Sequence, residues 1–275
     1  MNNLYRELAP INELAWSKIE EEAARTLKRY LAARRVVDVK GPAGSMLAAV
    51  GTGHLRNVEA PAEGIIARQR GVKALVELRV PFQLNRQAID DVERGANDSD
   101  WQPLKDAAKK IAFAEDHAIF EGYAAASIEG IRKGSSNRPM TLPQDVAHYP
   151  DVIAEALNQL RLAGVNGPYS VLLGADAYTA LSEASDHGYP VVQHIQRLVN
   201  EEIVWAPAID GAFVLTKRGG DFELHLGQDV SIGYLSHTEE IVSLYLQETL
   251  TFLMLTAEAS VAIAPASQKR RAESS

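Results

Sequence analysis

The chain contains no cysteine among its 275 residues. That excludes a disulfide framework, a thiolate zinc site, an iron–sulfur cluster and a cysteine nucleophile together. No basic stretch followed by an apolar run opens the sequence, so no signal peptide is expected. No segment approaches the roughly 20 apolar residues that a membrane-spanning helix needs. Positive charge is also short. Lys and Arg number 28 against 36 Asp and Glu, for a net charge of −8, which argues against nucleic acid as the main partner. Nucleotide loops are missing too. Gly51-Thr52-Gly53 is followed by Arg56 where a dinucleotide loop needs its third glycine, and no Walker sequence occurs. There is no Gly-x-Ser-x-Gly elbow. A Ser–His–Asp assembly needs no proximity in sequence, so a serine hydrolase stays an open alternative.

What is present is a series of well-marked elements. Trp16, Ile19, Ala23, Leu27, Tyr30 and Leu31 fall at helical spacing within the first 35 residues, with acids early and Lys28, Arg29, Arg34 and Arg35 late, as the helix dipole favours. Such a stripe must bury itself, on the chain's own core or elsewhere. Short strands are expected at 36–39 and 46–50. Residues 51–76 read as a hairpin or extended loop. Arms of about 12 residues would reach roughly 40 Å, beyond a compact body. Leu78, Val80 and Phe82 alternate as in a half-buried strand. A stripe from Leu104 to about Ile131 predicts a spine helix of about 29 residues, roughly 43 Å long, and with it a plate-like molecule.

Beyond Pro139 the pattern alternates. Helices are expected at 151–163, 175–185 and 191–199. Strands are expected at 169–173, 203–205, 212–215, 222–226, 229–235 and as one long run over 241–262. Residues 266–275 are polar and expected to be a disordered tail. Glu115, Asp116, His117 and Glu121 cluster on the spine. Glu115 and His117 are two residues apart and face different ways, so a solvated face is expected there, not a metal site. From the residues alone, the chain reads as an assembly protein without an active site.

Several segments resemble the encapsulin family of nanocompartment shell proteins, which includes proteins once called linocin-like bacteriocins or culture-filtrate antigens. These are Leu8-Ala9-Pro10 with Trp16; Arg34-Arg35-Val36-Val37-Asp38-Val39-Lys40-Gly41-Pro42; Asp90-Asp91-Val92-Glu93-Arg94-Gly95; and Phe113 to Gly122. Gly167-Pro168-Tyr169, Arg218-Gly219-Gly220-Asp221-Phe222, Leu226 to Tyr234, and Glu248-Thr249-Leu250-Thr251-Phe252 complete the set. The resemblance covers roughly residues 8–264.

It implies an α+β chain of the tailed-phage major capsid fold, the Hong Kong 97 type, with a long spine helix, an extended loop, and peripheral and axial domains. The peripheral domain would comprise 1–50, with the amphipathic helix in 1–35, together with 77–135 and 220–265. The extended loop would be 51–76 and the axial domain 136–219. Its function would be a non-enzymatic subunit that self-assembles into the smallest, T=1-type, icosahedral shell. The shell would enclose a cargo enzyme, such as a dye-decolourising peroxidase or a ferritin-like protein, through the cargo's C-terminal peptide. That peptide would dock on Leu27, Tyr30, Leu31, Arg34 and Asp38 facing Asp229, Val230, Ile232 and Tyr234, with intrachain core as the competing reading. Ser185, Asp186, His187, Gly188 and Tyr189 would form the five-fold pore loop. No flavin or other cofactor, nucleic-acid partner or membrane span is expected. The expected location is the cytoplasm, with extracellular material arising by non-classical release. A secreted bacteriocin-like or proteolytic protein and a phage capsid protein are the alternatives.

Overall fold

The computed structural model describes residues 3–186 and 188–266. His187 of the expected pore loop, and the expected tail apart from Ala266, lie outside the described residues.

In chain order, α1 (Glu13–Tyr30) leads to β1 (Asp38–Lys40) and an antiparallel hairpin of β2 (Ala49–Val58) and β3 (Ala67–Ala74). Strand β4 (Val76–Asn85), α2 (Arg86–Glu93), α3 (Gln102–Phe120) and the single turn α4 (Ile131–Gly134) follow. Next come β5 (Met140–Thr141), α5 (Tyr149–Leu162), β6 (Tyr169–Leu173), α6 (Ala175–Glu183), β7 (Ser185–Asp186), β8 (Tyr189–Pro190), α7 (Val191–Val199), β9 (Val204–Trp205) and β10 (Ala212–Thr216). The chain closes with β11 (Phe222–Leu226), β12 (Ser231–His237), β13 (Ile241–Met254) and β14 (Ser260–Ala264).

Two sheets organise these elements. In the first, β13 is central. Leu246 pairs with Val80 on one edge and Ile232 on the other; Leu250 pairs with Val76 and Leu226. Strands β11 and β12 therefore run in line along the edge opposite β4. The second sheet has the order β5-β14-β10-β6-β9. Its central strands separate two cores by simple alternation. Leu172, Phe213 and Leu215 face a core shared with Phe120, Leu224 and Phe252, whereas Val171, Leu173, Ala212 and Val214 face the core under α5 and α7.

Three expectations change. The spine helix stops at Phe120 after 19 residues, about 28 Å. Gly122 takes φ +96° and Gly130 takes φ +78°. A Cβ on Gly130 would lie 2.3 Å from the Gly122 nitrogen. The apolar stripe runs through Gly122, but the backbone folds back on itself there. The helix-length argument for a plate-like molecule falls with it.

The run at 241–262 is two strands in two sheets. Residues 255–259 turn between them, and Leu215 pairs with Ser260. Residues 260–264 thus pair within the second sheet. Finally, the segment expected as a strand at 46–50 starts pairing only at Ala49, opposite Ala74.

Candidate functional site

Helix α1 is capped by Asn12, whose side chain accepts the Ala15 N–H. It buries Ala15, Ile19, Ala23 and Thr26, a 3.6-residue stripe docked between α3 and the first sheet. Leu27 stands at the stripe's edge, half-buried. Beside it a groove of about 270 Å³ opens, walled by α1 through Glu20, Ala23, Ala24 and Leu27 and floored by Val230, Ile232 and Leu246. Two residues ahead of α1 also line it. The Leu4 carbonyl accepts the Tyr234 amide, and Leu4 and Arg6 line the groove. Val230 and Tyr234 pack on the same apolar cluster as Leu27.

The nine residues expected to form a peptide site are divided by the structure. Leu27, Val230 and Ile232 share the groove, with Tyr234 beside them. Leu31 is buried. Tyr30 points elsewhere, edge-on to Phe113 at 5.7 Å and tilted against Trp205 at 5.6 Å. Asp38 accepts the Gly220 amide at 2.6 Å and borders a separate small cavity with Arg35, Lys217 and Phe222.

Arg34 is largely buried. Its side chain is 18% exposed. Nε and Nη2 fork onto Glu115 at 2.8 and 2.5 Å, Nη1 donates to Asp229 at 2.8 Å, and Nη2 reaches Glu248 at 3.4 Å. Burial opposes the charge on Arg34, but Glu115 and Asp229 outweigh it and raise its pKa.

The acidic pair on the spine is likewise not a solvated face. Glu115 and Asp116 are both completely buried. Asp116 accepts the amides of Ala32 and Ala33 at 2.9 and 3.0 Å. Burial lifts its pKa to about 7 against the pull of those two donors. Glu248 is buried in the middle of β13. Burial and then the facing Glu115 carboxylate push its pKa well above the ordinary range.

Glu115, Glu248 and Arg34 occupy a seam. On α3, Leu104 to Ile111 face one core and Ala118 to Phe120 the other; on β13, Leu244 and Leu246 face the first and Leu250 and Phe252 the second. The polar layer lies between them. Its one signal in the sequence is a charge within an otherwise buried central-strand run, Leu244-Tyr245-Leu246-Gln247-Glu248. Among the described residues no group of His, Asp and Glu is arranged to hold a metal ion.

The expected pore segment forms a small hairpin. Ser185 pairs with Pro190 and Asp186 with Tyr189, and Gly188 turns at φ +83°. Tyr189 stands edge-on to His194 and accepts a hydrogen bond from Arg197. Those two partners were not foreseen; they lie on α7, one or two helical turns from the hairpin. No helix among the described residues is long and apolar enough to cross a membrane.

A family model described as encapsulating protein for peroxidase matches residues 1–251. The type 1 encapsulin shell protein of Mycobacterium tuberculosis is 66% identical over 263 residues, covering 96% of this chain and 99% of that protein. The type 1 encapsulin shell protein of Rhodospirillum rubrum is 46% identical, covering 98% of each. Among solved structures, a virus-like particle from Pyrococcus furiosus matches with TM-score 0.63 at 14% identity, covering 90% of this chain and 98% of its own. The capsid of an empty GTA particle matches with TM-score 0.52 at 13% identity, covering 86% and 90%. The fold is therefore α+β of the tailed-phage, Hong Kong 97-like capsid type.

Proposed function

This chain belongs to the encapsulin shell-protein family, and we propose that its copies close into an icosahedral shell, of the smallest T=1 type, around a cargo enzyme. A peroxidase is the cargo class that the family's description favours. Enclosure requires shell and cargo to be made in one compartment, so the working location is inside the cell.

The cargo's C-terminal peptide would lie in the groove between α1 and β12, with Leu27, Val230 and Ile232 taking its apolar side chains. The observation that carries this is the groove itself: about 270 Å³, with apolar side chains on both walls (Ala23 and Leu27 facing Val230, Ile232 and Leu246) and Arg6, Glu20 and Ser231 as its polar lining. Apolar anchors in a preformed groove are how helix- and strand-lined sites hold extended peptides. Arg34 and Asp38 do not contact the peptide in this reading; Arg34 supports the wall. The hairpin Ser185–Pro190 would ring the five-fold axis, with Asp186 setting the charge there.

The second surface of this reading is the β2–β3 arm. Leu55, Val58, Ile65, Ile66 and Val72 are exposed on it, Ile66 at 80%. A neighbouring copy is the partner that would bury them.

The groove is tested with Leu27→Asp combined with Ile232→Asp. Shells are expected to form and to lose all co-purifying cargo. Shells that keep their cargo overturn the groove, and a chain that fails to fold identifies these residues as plain core.

A further inference from the structure

The polar seam has a feature that packing does not explain. Glu248 Oε1 is buried and has no hydrogen-bond donor among the described residues. Its carboxyl group lies against that of Glu115, which is already gripped by the Arg34 fork. An ionised carboxylate is acceptor-only, so two of them facing each other in a buried site leave oxygens unmatched. One proton resolves the conflict: neutral Glu248 donates to Glu115, and Arg34 is left with charge to share outward.

The outward partner is Asp229, whose side chain is 45% exposed. Its Oδ1 also accepts the Val230 amide at 2.7 Å, and its carbonyl accepts the Ser231 hydroxyl at 2.7 Å. Val230 and Ser231 are groove residues. The chain of contacts therefore runs from Glu248 and Glu115 through Arg34 to Asp229 and into the groove wall.

We propose that a single proton held between Glu248 and Glu115 sets the wall of the groove, with Arg34 acting as a strut and Glu115 and Glu248 as positioning residues that touch no cargo. This deepens the groove reading above and rests on it for its functional meaning.

The groups facing Glu248 are Glu115 from α3, Arg34 from the segment after α1, and Asp229 from the β11–β12 connection. Arg79 pairs with Gln247, which points to the other face of β13. When Glu248 loses its proton, Arg34 must answer two buried carboxylates at once. Asp229 then loses its share of the guanidinium, and Val230–Ile232 loosen. Low pH keeps the wall fixed; high pH releases it.

The test is amide hydrogen exchange on the assembled full-length protein, from about pH 6 to about pH 10, the span that buried carboxyl groups reach. Rates are corrected for base-catalysed intrinsic exchange. In the wild type, Val230–Ile232 should lose about tenfold in protection across this range, ~1.4 kcal/mol of opening free energy, while Val171–Leu173 stay unchanged. Glu248→Gln keeps a neutral donor and should stay flat. A flat wild-type profile, or a Glu248→Gln profile that follows the wild type, overturns the proposal. Should that variant not assemble, Asp229→Asn decides. Loss of the pH step with fast exchange throughout supports the strut; a retained step refutes it. The readout needs no cargo, so failure of the peptide groove and failure of the strut are separate results.

Discussion

Asp116 places a carboxylate on the amides of Ala32 and Ala33, the two residues that turn the chain from α1 toward β1. Its pKa of about 7 against an unfolded value of 3.8 fixes the sign of its pH dependence. The folded state holds this proton more tightly, so Asp116's contribution is full below about pH 4 and is lost as pH rises through about 7. Asp116→Asn removes the titration. The stability of wild type relative to this variant should fall steadily between those two pH values, read from unfolding midpoints at several pH values. Arg34 makes the stronger case. Removing it leaves the single negative charge that the Glu115–Glu248 pair carries buried without a counter-charge, a change that costs about 3–5 kcal/mol in comparable sites. Arg34→Ala should therefore lower the unfolding midpoint sharply, whereas a well-packed shell of unchanged midpoint would show that the seam is not held by charge. Little of this was legible in the sequence. Glu115 and Asp116 look like a solvated pair because their partners, Ala32, Ala33, Arg34 and Glu248, lie more than eighty residues away along the chain.

Among the elements, helices α5 to α7 and strands β6, β10 and β11 follow from the sequence almost to the residue: the helices and β11 bury one face, while β6 and β10, buried on both faces, read as short, nearly unbroken apolar runs. The spine helix did not, because glycine counts as a small residue in an apolar stripe while its positive φ is invisible. That difference is measurable. Gly130→Ala forces a Cβ to within 2.3 Å of backbone at φ +78°, whereas Gly188 has φ +83° and open space around it. Gly188→Ala should cost about 1–2 kcal/mol, the left-handed penalty alone, and Gly130→Ala clearly more, by comparison of unfolding midpoints. The division of the last strand run at residues 255–259 left no glycine or proline as a signal. Sheet membership, not local preference, ends β13 and starts β14.

For the whole molecule, the apolar residues on the β2–β3 arm stay exposed among the described residues, and a chain without cysteine holds its copies together without disulfides. Ile65→Asp with Ile66→Asp should abolish assembly while the circular dichroism of the folded chain is retained; shells that form normally would remove the arm from the interface. The family was legible from ordered motifs spread along the chain, whereas the strut inside the groove wall needed three-dimensional contacts. The central claim is closure into a shell, and size-exclusion chromatography followed by negative-stain microscopy tests it most directly. Hollow, closed particles of a single size are the expected result. A 30.0 kDa monomer at micromolar concentration would contradict it.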